Sequence, residues 1–282
     1  MTTSTLTPPV TAPGAAPRRR FRITGASLMF GYTWLVILWL VLPIFVMILF
    51  GFNNPHGKFN QTWQGFTVKW YKDIFGLDEL TSALWLSLVI AVISSLLAAA
   101  VGTGIGYALG RYQFRGSGTI NLLLFATMAS PELIMGASLL SLFVSLNTGR
   151  GVATIVIGHV LFSISFVTTV VRARVITLDR SIEEAAADLG ATAWTTFWKV
   201  TFPILLPAIF SGFMLAFALS IDDFVVTNFV SGSATTFPLY IWGATRVGLP
   251  PQVNVMGTLI FAAGVLIAVI ANLRSRSTSK RD

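Results

Sequence analysis

The chain has 282 residues, of which 54% are hydrophobic and only 11% charged. A soluble domain carries about 25% charge, so this composition excludes an ordinary water-facing surface and points to lipid. The absence of cysteine excludes disulfides, thiolate-bound zinc or iron–sulfur clusters and a Cys nucleophile, and the formal net charge of +8 leaves anionic headgroups or nucleic acid to be considered as partners.

Residues 1–17 are rich in Thr, Pro and Ala and read as a disordered tail. Arg18, Arg19, Arg20 and Arg22 follow, and then an apolar stretch at 28–50. The combination superficially resembles a signal peptide. The stretch is too long for a signal h-region and no small-residue cleavage site follows it, so a retained helix is expected. Five further stretches are long enough to cross a bilayer, at 82–109, 119–146, 152–171, 204–226 and 255–273. The third and fourth are separated only by the turn Asn147-Thr148-Gly149-Arg150-Gly151. No tandem repeat is visible. The pattern predicts an all-α membrane protein with six transmembrane helices. A basic tail at 1–24 and another at 274–282 flank one membrane domain at 25–273.

Charge sets the expected orientation. Of the 19 Lys and Arg, all but Lys58, Lys69, Lys72, Arg150 and Arg246 fall on one side of this six-span arrangement. The positive-inside rule then places both termini in the cytoplasm, and the basic residues face anionic headgroups. Nucleic acid is excluded as a partner, because no basic stripe alternates with aromatics.

Catalytic signatures are missing. The chain has no G-x-x-x-x-G-K-[ST], no H-E-x-x-H and no G-x-S-x-G. Its two histidines, His56 and His159, make a poor metal site. His159 lies inside the fourth stretch, where it either bonds a neighbouring helix or serves as a ligand or proton group. Gly102, Gly104 and Gly106 do not form a nucleotide-binding turn. Gly102, Gly106 and Gly110 recur every four residues and predict a ridge on which another backbone packs closely.

The loop at 172–203 carries the strongest signal. Ser181 and Glu184 form an S-x-x-E capping box, with Asp179 just before it. Ile182, Ala185, Ala186 and Leu189 share one face of a short helix, and Gly190 supplies a left-handed cap. A second helix is predicted from about Thr192 to Thr201, ended by Pro203. A helix lying on the membrane would favour bulky apolar residues and a basic polar face. This one has alanine and an acidic face, which favours docking into a groove of another protein.

Glu184-Ala185-Ala186, three residues, Gly190, nine residues and Val200-Thr201-Phe202-Pro203 resemble the EAA motif of ABC-importer permeases, EAA-x3-G-x9-I-x-L-P. Val200 and Phe202 depart from its Ile and Leu. The resemblance implies a type I importer-permease fold. It also implies that Glu184, Ala185, Ala186, Gly190 and Pro203 couple the chain to a separate ATPase. In such a system this chain binds no cofactor, and ATP and Mg belong to the ATPase. The partners implied are a second, different permease, two ATPase subunits and an extracytoplasmic solute-binding protein, in the inner membrane of a prokaryote.

Residues 67–75 and 220–226, Ser231-Gly232, Phe237-Pro238-Leu239 and Pro251-Gln252-Val253-Asn254 are similar to the spermidine/putrescine branch of that family. Leu86 departs from the Asn expected there. Relatives in the branch also carry phosphonates, opines and ferric ion. Acidic groups at membrane depth are expensive and usually line a pathway or find a partner. Glu132 beside Pro131, and Asp222 with Asp223, are therefore candidates for a cation pathway. The two aspartates point about 100° apart on a helix, so one faces a pore while the other pairs with Arg246, Arg150 or the binding protein. Trp242 either stacks on an amine or anchors at the interface. The principal alternative is a self-sufficient secondary transporter, which would leave the EAA loop without a role.

Overall fold

The chain is described here from a computed structural model covering residues 25–278. The expected tail at 1–24 and residues 279–282 lie outside the described residues. Among the described residues regular structure is helical, save one antiparallel bridge between Asn53 and Phe66. Among the described residues, 25–47 fall in one unit and 48–278 in a second. Helix α1 (Gly25–Phe50) is apolar around its whole circumference, as a lipid-crossing helix must be.

In the second unit a loop leads to the short α2 (Lys69–Lys72). Buried Asn53 ties this loop together, donating to the Asn60 side chain at 2.6 Å and the Thr62 carbonyl at 2.7 Å. Helix α3 (Asp78–Arg111) follows; its 34 residues make it roughly 50 Å long, more than a hydrocarbon core requires. Next come α4 (Ser117–Ala129), α5 (Glu132–Ser145) and α6 (Val152–Ile176). The loop helices α7 (Ser181–Asp188) and α8 (Ala193–Thr196) lead through a π-turn (Phe197–Thr201) into α9 (Phe202–Asp222). Helices α10 (Val225–Val230), α11 (Phe237–Val247) and α12 (Pro251–Thr278) complete the chain.

Helices α1, α3, α6 and the run from Ala193 to Asp222 are long and apolar enough to cross a membrane, and α4 with α5 would make a fifth crossing if counted as one broken span. The apolar part of α12 is shorter, Pro251–Ile267.

Three expectations are corrected. Residues 119–146 do not form one straight span: α4 and α5 meet at 107°. Pro131 has no N–H and clashes with a helical carbonyl four residues back, and Ser130 and Pro131 both turn extended (ψ 130° and 128°). Pro203 does not end the second loop helix. It sits in the first turn of α9, and the wider π-turn before it accommodates the missing donor and ring, so the helix runs on. The fifth span stops at Asp222 rather than 226, because Asp223 turns extended and α10 starts afresh.

The glycine ridge forms as expected. A Cβ on Gly102 would lie 2.8 Å from Val167 Cβ, on Gly106 2.8 Å from the Thr168 carbonyl, and on Gly110 2.7 Å from a Val175 methyl. Backbones of α3 and α6 thus approach more closely than any side chain allows. Ala98, Val167, Val171, Val175, Leu205 and Ala216 join α3, α6 and α9 in one apolar core. A second core of Ile90, Leu139, Phe143, Ile155, Val226 and Val230 joins α3, α5, α6 and α10.

Candidate functional site

The break between α4 and α5 opens a cavity of about 270 Å³. Glu132, Asp222 and Asp223 line it, together with Phe162, Phe166, Phe224 and Met135. Glu132 occupies the first turn of α5, where the helix dipole favours a carboxylate. Three acidic side chains, the outermost 91 positions apart in sequence, therefore share one aromatic-walled space.

The two aspartates have different surroundings. Asp223 is buried and accepts hydrogen bonds from the Thr227 amide at 2.8 Å, the Thr227 hydroxyl at 2.7 Å and the Val226 amide at 3.3 Å. Its Oδ2 also lies 3.2 Å from His159 Nε2. His159 reaches Thr227 Oγ1 at 2.9 Å and, through Nδ1, Ser220 Oγ at 2.6 Å. Asp223 thus satisfies the free amides at the start of α10 and locks α10 to α6. Its partner is His159, which corrects the expectation of Arg246, Arg150 or a binding protein: Asp223 leaves the helix in an extended conformation and its side chain is buried. Asp222 is exposed on the cavity. The same residues give His159 an interhelical role.

Trp242 does not line this cavity. It borders a neighbouring one of about 370 Å³, with Asp222 and Phe224 between the two. Its ring sits 5.1 Å from Phe224, and the Arg246 guanidinium lies 5.1 Å over its face. That ring already holds a cation.

The 172–203 loop is the second region of interest. The capping box does not form: Ser181 begins the helix rather than preceding it, and its amide donates to Asp179 at 3.0 Å. This bond holds the Asp179 carboxyl below the usual carboxylate range. Gly190 has φ +84°, its amide donates to the Ala187 carbonyl at 2.8 Å and the Ala191 amide to Ala186 at 3.0 Å, which completes the left-handed cap. Glu184, Ala185 and Gly190 are exposed, Ala186 is half-buried, and Pro203 is exposed at the start of α9. Leu189, just after α7, is 90% exposed, and Trp194 of α8 is 72% exposed although its edge meets the Trp198 ring at 5.6 Å, so this loop presents apolar side chains to its surroundings.

Sequence reasoning missed Glu183, Arg111 and Thr201. Arg111 was expected to face headgroups, yet it is buried and its Nε donates to Glu183 at 2.8 Å. The signal was its place directly after the Gly102–Gly106–Gly110 ridge, which drives the end of α3 against the end of α6.

Helical construction, one broken span and an exposed helix capped by Gly190 between two membrane segments describe a multi-helix membrane protein, and the comparisons with known proteins give its class. The sequence profile described as "Binding-protein-dependent transport system inner membrane component" matches residues 100–277. The chain belongs to this family, and it is a multi-pass permease subunit of an ABC importer. It is 39% identical over 263 residues to the "Putrescine transport system permease protein PotI" of Escherichia coli K12, covering 90% of this chain and 91% of that one. It is 36% identical over 257 residues to the "Spermidine/putrescine transport system permease protein PotC" of the same organism, covering 91% and 97%. Among solved structures, a chain of a bacterial ABC transporter involved in the import of the acidic polysaccharide alginate superposes with a TM-score of 0.62 at 16% identity, covering 90% of this chain and 98% of that chain, which speaks for the fold.

Proposed function

We propose that the chain moves polyamines, putrescine or spermidine, across the inner membrane. A soluble extracytoplasmic protein delivers the solute, and a second permease completes the path. Six crossings, with α4 and α5 as one broken span and α12 as the last, leave both termini in the cytoplasm. ATP and Mg are bound by two separate ATPase subunits, which receive the exposed face of α7 with Glu184, Ala185, Ala186 and Gly190. Pro203 passes the motion into α9. No bond is made or broken on this chain. Its task is to favour one of two packed states according to what the ATPase binds.

The observation that carries the substrate reading is the meeting of Glu132 and Asp222 in one aromatic-walled cavity, in a chain similar to two polyamine permeases. An alkyl diamine has two charges for carboxylates and a methylene chain for Phe162, Phe166 and Phe224. Desolvated ammonium groups gain most from such partners, through charge and through aromatic faces.

The test is ATP hydrolysis and uptake by the reconstituted complex in lipid, with polyamine-loaded binding protein added or withheld. Stimulation that is lost on Glu184→Ala supports both halves of the proposal. An assembly that hydrolyses ATP but ignores polyamines overturns the substrate while leaving coupling intact. Polyamine uptake with no associated ATPase would instead favour a secondary transporter.

A further inference from the structure

Three separate parts of the chain meet at Glu183, one residue before the EAA motif. Arg111 ends α3, and its Nε donates to Glu183 Oε2 at 2.8 Å. The Arg111 Nη1 donates to the Leu178 carbonyl at 3.2 Å, in the turn after α6. Arg180, at the head of α7, donates through Nη2 to the Arg111 carbonyl at 3.0 Å. On its other oxygen Glu183 accepts from the Thr201 hydroxyl at 2.9 Å, in the π-turn that feeds α9. Thr201 is fully buried and the Arg111 side chain is 6% exposed, against 19% for Glu183. A cation this buried is costly unless paired, and Glu183 is the acidic group that pairs it.

We infer that Arg111 and Glu183 form a clamp that makes α7 and the ends of α3, α6 and α9 move as one body. The inference rests on the importer reading above. Glu184, Ala185 and Gly190 of the EAA motif are exposed, and so can feel a docked ATPase. Glu183 faces inward and fixes the helix to the membrane domain. Gly190 makes the opposite end of α7 an exposed turn with nothing within 4 Å of a built Cβ. The helix is therefore anchored at its first turn, while residues 187–190 at its other end are exposed. A push on its outer face is carried through Arg111 into α3, whose glycines lock onto α6, and through Thr201 into α9. Glu183 and Arg111 are positioning residues, since neither is placed on solute or nucleotide.

The experiment compares solute imported per ATP hydrolysed in proteoliposomes holding the whole complex, for wild type, Glu183→Gln, Arg111→Met and the double variant. Glu183→Gln leaves a buried arginine unpaired and risks folding, whereas the double variant removes both charges and keeps the interior neutral. The expected result is an assembled double variant whose import per ATP is about tenfold below wild type, a size typical of lost coupling between sites. The two single changes should not add, because each already opens the clamp. Wild-type import per ATP in the double variant overturns the clamp. So does a loss of uptake that only mirrors lost assembly, which would make the pair a folding element. A wild-type complex with no ATP-driven uptake is a different failure: it removes the importer reading and the clamp's role with it.

Discussion

Helix α6 keeps two kinds of company along its length. Its C-terminal half, from Val167 to Val175, lies on the glycines of α3 in a dry contact with almost no room between backbones. Its N-terminal half carries buried His159 and Thr154. Thr154 donates to the Val230 carbonyl at 2.7 Å, and His159 holds Ser220, Asp223 and Thr227. Both halves are buried, yet one is held by fit and the other by hydrogen bonds. The difference follows from what each faces. A continuous helix such as α3 offers a smooth ridge with its polar backbone satisfied. The end of α9 and the start of α10 expose free carbonyls and amides, which low-dielectric surroundings make expensive to leave unpaired. The hydrogen bonds of His159, Asp223 and Thr227 therefore gather where α9 breaks, and the acidic cavity lies beside that break.

The contrast can be broken most severely at the dry end. Gly106→Leu should destabilise the chain by about 3 kcal/mol, because even the Cβ would meet the Thr168 carbonyl and α3 cannot move away without losing α6. Thermal unfolding in detergent measures this, and an unchanged midpoint would show that the two helices are not held so tightly. At the polar end the neighbouring aspartates should separate. Asp223→Ala should cost about 2 kcal/mol, since it leaves the Val226 and Thr227 amides unpaired and takes one of three partners from His159. Asp222→Asn should change stability by less than about 0.5 kcal/mol. In uptake assays Asp222→Asn should nevertheless raise KM for a diamine about tenfold, the loss of one charge contact. Equal stability loss for both changes would refute the division of roles. The smallest effect sharpens the dry end: Gly104 points away from α6 and a Cβ there meets nothing, so Gly104→Ala should stabilise by up to about 1 kcal/mol through helix propensity. If Gly104→Ala destabilises the protein, contact with α6 is not what distinguishes these glycines.

Much of the fold was legible in residues alone. The spacing of Gly102, Gly106 and Gly110 announced a packing ridge because helical period converts a four-residue repeat into one face. Gly190 announced its own turn, because few other residues accept a left-handed backbone. The EAA pattern announced the family. The Ser181 cap was misread because capping depends on which residue the preceding turn leaves non-helical, and Asp179 took that amide instead. The size of the bend at Pro131 was not in the sequence, since proline fixes only its own φ and biases the residue before it.

By itself the sequence determined that this chain lives in lipid and carries a short helix closed by Gly190 between two membrane segments. Those conclusions follow from composition, period and local backbone preference, which neighbouring residues settle among themselves. Only the tertiary structure decided which of two adjacent aspartates is free, that Arg111 answers Glu183 across 72 positions, and that Glu132 and Asp222 share a cavity. A charge in a membrane protein takes its meaning from whatever desolvated partner lies within a few ångströms. Chain order does not say which residue that will be.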